Sequence, residues 1–140
     1  MNILLPVDGS KSTKRMLAYI AAHKEMFGAS HRYTVFTAVP KIPASPARHV
    51  AHAVLDDYYR DEAEAVFRPV REFAEQQHWN VEMCHAKGPA AECIAEQVLA
   101  LRPDLIIMGS HGHSALGNLL MGSVATGVLA RCKVPVLLVR

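Results

Sequence analysis

The sequence predicts an α/β fold, a doubly wound five-stranded parallel sheet with helices on both faces. Short apolar runs alternate with longer amphipathic ones in the order β-α-β-α-β-α-β-α-β, the pattern of stacked βαβ units. Most of the short runs are nearly continuous in apolar residues, as expected of strands covered on both faces. At 140 residues and 51% hydrophobic, the chain can bury one core without disulfides or metal, so a single domain over residues 1–140 is expected.

The first strand is "NILLPV", Asn2 to Val7, which ends at the turn cluster Asp8-Gly9-Ser10. A helix follows, capped by Ser10 or Ser12, with Met16, Leu17, Ile20, Ala21 and Met26 on its inner face and Gly28 closing it. "HRYTVFTAVP" is β-branched and aromatic and stops at Pro40, giving a second strand of about eight residues. Pro40, Pro43 and Pro46 then exclude regular structure over 40–50 and leave a loop suited to cover a site. A charged helix runs from about Ala51 to His78, with Val54, Leu55, Tyr58, Ala65, Val66, Val70 and Phe73 inward; Pro69 should kink or split it. "WNVEMCHAKG" alternates, so it is placed as a third strand near a sheet edge. "AAECIAEQVLALR" is a helix buried through Ile94, Ala95, Val98 and Leu101, and Pro103 stops it. "DLIIMG" is the most apolar strand, "SVATGVLARC" a short helix and "VPVLLVR" the last strand.

Composition excludes several functions. The net charge of +2 is dispersed, leaving no electrostatic footprint for nucleic acid or an acidic membrane. No apolar run is long enough for a bilayer, and Asp8 comes too early for a secretory leader, so a cytoplasmic location is expected. Cys84, Cys93 and Cys132 are odd in number and lack CxxC spacing, which reads as buried thiols.

Two clusters leave strand carboxyl ends: Asp8-Gly9-Ser10 after the first strand, and "GSHGHSALGNLLMGS", Gly109 to Ser123, after the fourth. In the strand order 3-2-1-4-5, which right-handed crossovers and one reversal of winding allow, both clusters border one crevice. Gly109 and Gly112 stand three residues apart, nine residues follow, and Gly122 and Ser123 open a helix. Glycines let anionic oxygens approach the backbone, and a helix start offers unpaired N–H groups with about half a positive charge. Phosphate is the natural occupant; turn-shaping is the alternative reading of the same glycines. The loop is not a Walker A sequence, because no lysine lies between Gly109 and Ser123, and its spacing is not GxGxxG. His111 and His113 form an HxH pair without an evident third ligand, so no metal is expected there. Ser110, His111 and Asp8 lack the strained GxSxG elbow of a hydrolase.

"GSHG", nine residues, then "GS" matches the GxxG-x9-G[ST] signature, and the chain resembles the ATP-binding branch of the universal stress protein family. "ILLPVDGS", "GPAAECI" and "GSVATGVLARCKVPVLLVR" extend that resemblance along the chain. It implies the fold shared with adenine nucleotide alpha hydrolase-like proteins, in the order 3-2-1-4-5, and a nucleotide at the strand carboxyl ends. Carried over, Pro6, Val7 and Asp8 would meet the adenosine end, Val39 would flank adenine, and Met108 and Gly109 would line the floor. Gly112, Gly122 and Ser123 would surround the phosphates, joined by His111 and the Val124 backbone N–H. Ala125 stands where ATP-binding members often carry Ser or Thr, which removes one hydroxyl contact.

The resemblance therefore implies a cytoplasmic stress-response protein binding ATP, with Mg²⁺ as its companion cation, and a homodimer through the C-terminal strand. With no general base or arginine finger in view, little or no hydrolysis is expected. A nucleotide-independent dimeric interaction protein and a slow nucleotide hydrolase or transferase are the alternatives.

Overall fold

The computed structural model describes residues 1–113 and 120–140; the middle of the glycine loop, Gly117 included, lies outside them. The element order is β1 (Asn2–Pro6), α1 (Lys11–Ala22), α2 (Lys24–Phe27), β2 (Arg32–Val39), α3 (Ala44–Ala47), α4 (His52–Gln76), β3 (Asn80–Lys87), α5 (Ala90–Leu101), β4 (Leu105–Gly109), α6 (Ser123–Arg131) and β5 (Val136–Val139). The strands form one sheet in the order β3-β2-β1-β4-β5, all neighbours parallel. The winding reverses between β1 and β4, so the expected crevice sits at the carboxyl ends of these two central strands.

Side-chain alternation along the strands divides the core in two. Ile3, Leu5, Tyr33, Val35, Val39 and Ile107 face α1 and α4, meeting Met16, Ile20, Phe67 and Val70. Leu4, Phe36, Ile106 and Met108 face α5 and α6, meeting Ile94, Val98, Ala125 and Val128. β3 is an edge strand, as its alternating pattern predicts.

Several local expectations are corrected. The first helix is not continuous to Gly28: it stops at Ala22, where the His23 ring lies 2.8 Å from the Tyr19 carbonyl and the His23 N–H donates to Ile20. That side chain supplies a cap the apolar spacing could not reveal, and Met26 beyond it is exposed. Pro69 does not split α4, which runs 25 residues. Burial of Ala63, Phe67, Val70 and Ala74 against the sheet outweighs the roughly 3 kcal/mol that an interior proline costs. Arg71 donates two hydrogen bonds to Glu64, at 2.6 and 3.0 Å, spanning the proline and holding the Glu64 carboxyl below its usual range. Val54, Tyr58 and Ala65 are exposed, because the phase of α4 turns Leu55, Tyr59, Ala63 and Phe67 to the core instead; Leu101 is exposed at the last residue of α5. The segment 40–50 does contain regular structure, the single turn α3, with Pro46 near a helix start where its missing N–H costs little.

Tyr33 ties β2 to the end of α2. Its fully buried hydroxyl donates toward the carbonyls of Phe27 at 2.7 Å and Gly28 at 3.0 Å. Burial pushes its pKa up from 10.0 to about 12. The folded state therefore resists ionisation that the unfolded chain allows, so this contribution to stability is complete below pH 10 and fades as pH rises from 10 toward 12. Tyr33→Phe should cost about 1–2 kcal/mol at pH 8, since two carbonyls lose a donor. In urea titrations the gap between the two proteins should narrow between pH 10 and 12; a constant gap would show that the phenol is not held neutral by burial.

Candidate nucleotide cleft

A cleft of about 360 Å³ opens at the carboxyl ends of β1 and β4, on the α5 and α6 side of the sheet. Of the residues expected there, Pro6, Val7, Asp8, Met108, Gly109, His111, Gly112, Gly122, Ser123 and Val124 all line it. Val39 does not. Its side chain is buried in the core on the opposite face, because it is out of phase with Pro6 and Met108, while Phe36 and Ala38 are in phase and form the wall. The pairing of Pro6 with Phe36 across β1 and β2 fixes that phase. Alternation in "YTVFTAV", which places Phe36 and Ala38 on the face opposite Tyr33 and Val35, was the signal available in the sequence.

Thr13, Ala90, Ile94, Ser110, His113 and Ala125 also line the cleft. Ala90 and Ile94 arrive because a right-handed crossover from β3 brings the start of α5 to the same end of the sheet as the start of α6. Thr126 does not replace the hydroxyl missing at Ala125: it is exposed, and its hydroxyl donates back to the Gly122 carbonyl at 3.0 Å. No residue of the proline-rich segment 40–50 is among the described residues of the cleft wall. Ile42 packs instead against the α1 and α4 face, its N–H donating to the Tyr59 hydroxyl at 3.0 Å.

Asp8 has a structural duty as well as a place in the cleft. Its Oδ1 accepts from the Ser10 N–H and the Thr13 hydroxyl, both at 2.9 Å, and the Ser10 hydroxyl caps α1 at Thr13. Its Oδ2 faces the glycine loop, 2.8 Å from where a side chain at Gly112 would begin. The carboxylate is therefore held in one orientation with one oxygen presented to the cleft.

The two ends of the glycine loop are pinned together. The Gly122 N–H donates to the Ser110 carbonyl at 2.6 Å, and the Ser110 N–H donates to Val139 of β5 at 3.0 Å. A side chain at Gly122 would begin 3.1 Å from the His111 Cα and 3.2 Å from the Ser110 carbonyl oxygen, a tight fit against backbone that glycine avoids. α6 then begins without a side-chain cap, in contrast to α1, and its first-turn N–H groups open beside the cleft. Ser110, 2% exposed, lies 2.8 Å from His111 Nδ1, while His113 Nε2 lies 2.6 Å from the Asp8 carbonyl. The HxH pair thus divides between two different partners. Among the described residues no cluster of three His, Cys, Asp or Glu side chains is placed to hold a metal.

The thiols take no part in this chemistry. Cys93 is buried, Cys84 and Cys132 half-buried, and burial pushes all three above the ordinary thiol range. None is poised as a nucleophile at neutral pH. No helix among the described residues is long and apolar enough to cross a membrane.

The profile of the universal stress protein family matches residues 1–140. A universal stress protein of Thermus aquaticus, encoded in the 3′ region of a QAH/OAS sulfhydrylase gene, is 32% identical over 145 residues, covering 99% of this chain and 97% of its own length. Universal stress protein UspA from Lactobacillus plantarum superposes with a TM-score of 0.80 at 19% identity, covering 100% of this chain and 97% of the other. A family member from Arabidopsis thaliana, solved with AMP bound, superposes with a TM-score of 0.71 at 13% identity, covering 99% and 90%. Profile, sequence and fold agree over the whole length: the chain belongs to the universal stress protein family.

Proposed function

We propose that this cleft binds an adenine nucleotide, ATP with Mg²⁺ being the form the family resemblance implies, and that the protein holds the nucleotide with little or no hydrolysis. The observation that carries the reading is the convergence of Asp8, Gly109, Gly112, Gly122 and Ser123 on one cleft with an apolar wall of Phe36, Ala38, Ile94 and Met108. The wall suits a flat base. The uncapped start of α6 and the Ser123 hydroxyl suit phosphate. The Asp8 Oδ2 atom suits a ribose hydroxyl or a cation bridging to phosphate. The AMP bound by the Arabidopsis neighbour supports the same class of ligand. Slow turnover follows from the absence of Lys and Arg among the described lining residues, since phosphoryl transfer depends on positioned positive charge.

In this reading the protein is a cytoplasmic stress-response protein that acts as a homodimer. Support for the dimer is β5, an edge strand whose Val136, Leu137 and Leu138 are only partly buried, as strand pairing with a second copy would require.

At nucleotide ten times above its dissociation constant, binding should stabilise the fold by about 1.4 kcal/mol. For a domain of this size that is a rise in melting temperature of about 4 °C. Thermal melts with ATP, AMP and GTP should show the rise with adenine nucleotides and a smaller one with GTP. No rise with either adenine nucleotide overturns the proposal.

A further inference from the structure

The cleft's charge and donor supply is limited. Among its described lining residues there is no lysine or arginine, and the sequence from Gly109 to Ser123 contains neither. Lys11, the first residue of α1, is exposed and lies outside the lining. The titratable groups that do line the cleft are Asp8, His111 and His113. Donors at the start of α6 are few as well. The Gly122 N–H is given to the Ser110 carbonyl, the Thr126 hydroxyl to the Gly122 carbonyl, and Ala125 presents a buried methyl. What remains is the Ser123 hydroxyl and the first-turn N–H groups.

At the start of α6 that supply matches one phosphate. A phosphomonoester carries a charge of about −1.5 to −2, which one helix start, worth about half a positive charge, and its N–H groups can meet in part. Each further phosphate adds negative charge that no lysine or arginine among the described lining residues answers. It also enters a space where the Asp8 carboxylate already faces the glycine loop, its position set by Ser10 and Thr13. In a partly desolvated cleft such like-charge contact is strongly unfavourable.

We infer that the cleft ranks adenosine monophosphate above ATP unless a divalent cation accompanies the triphosphate, with Asp8 as the residue that sets the ranking. This inference rests on the nucleotide reading above. Calorimetric titration of the full chain with 5′-AMP and with ATP, each in EDTA and then in Mg²⁺, tests it. AMP should bind at least tenfold more tightly than ATP in EDTA, and Mg²⁺ should narrow the gap by improving ATP alone. Asp8→Asn keeps an acceptor for Ser10 and Thr13 while removing the charge, and His113→Lys adds a fixed cation at the exposed rim; each should narrow the gap measured in EDTA. ATP binding as tightly as AMP in EDTA overturns the inference and leaves the nucleotide reading standing, as does a gap that neither substitution changes. Failure of both nucleotides to bind removes the nucleotide reading itself.

Discussion

Phe36→Ala should destabilise the fold by about 3–5 kcal/mol, a large share of the 5–15 kcal/mol that holds most domains together. Phe36 is 1% exposed, at the position where β2 pairs with both Pro6 of β1 and Cys84 of β3, and its carbonyl accepts the Val7 N–H at 2.8 Å. Truncation leaves those backbone bonds intact and removes only the ring from its cluster with Leu4, Ile94 and Met108. The ring also lines the open cleft, so water can enter the space left behind, which places the loss toward the lower end of the range. Urea unfolding should show a lower midpoint with an unchanged slope for Phe36→Ala. A loss below about 1 kcal/mol would mean that the ring is not packed between the sheet and α5.

Much of this arrangement is legible in the sequence, and the parts that are not share a physical cause. Strand and helix alternation gave the architecture, because a two-sided parallel sheet demands continuous apolar strands and offers few alternative windings. The cleft was legible through Asp8 and the glycines, whose chemistry is local. The family resemblance carries Val39 into the cleft, yet facing is set by phase, and phase depends on how Pro6 pairs with Phe36. The early stop of the first helix at His23 and the persistence of α4 through Pro69 turn on a side-chain cap and on tertiary burial. Neither is encoded in spacing or propensity. Thr13 and Ala90 escape the motif because the starts of α1 and α5, rather than the glycine loop, bring them to the cleft.

Gly109→Ala should cost about 1–3 kcal/mol and disturb the cleft as well, because Ser12 at the start of α1 packs directly on this glycine. A methyl at 109 would overlap the Ser12 hydroxyl oxygen, lie 2.8 Å from Ser12 Cβ, and come within 3.1 Å of the Ser12 carbonyl carbon. The last of these is backbone, so rotating the serine side chain gives no escape and α1 must move away from β4. That movement reaches the loop, since the His111 N–H donates to Ser12 Oγ at 3.4 Å, and it reaches Asp8 through the Thr13 hydroxyl. Ser12→Gly removes two of the three clashes while costing about 0.5 kcal/mol through helix propensity, together with the acceptor it gives the His111 N–H. The double variant should therefore be more stable than the two single losses added together, with a coupling of about 1 kcal/mol or more. A double-mutant cycle by urea unfolding measures this directly, and strict additivity would show that the close approach of α1 to β4 does not explain why position 109 is glycine. Because Gly109 and Thr13 both line the cleft, the same cycle followed by nucleotide titration separates two roles of this glycine. If affinity recovers in the double variant along with stability, the glycine serves the ligand by letting the helix pack; if stability alone recovers, the ligand needs the space itself.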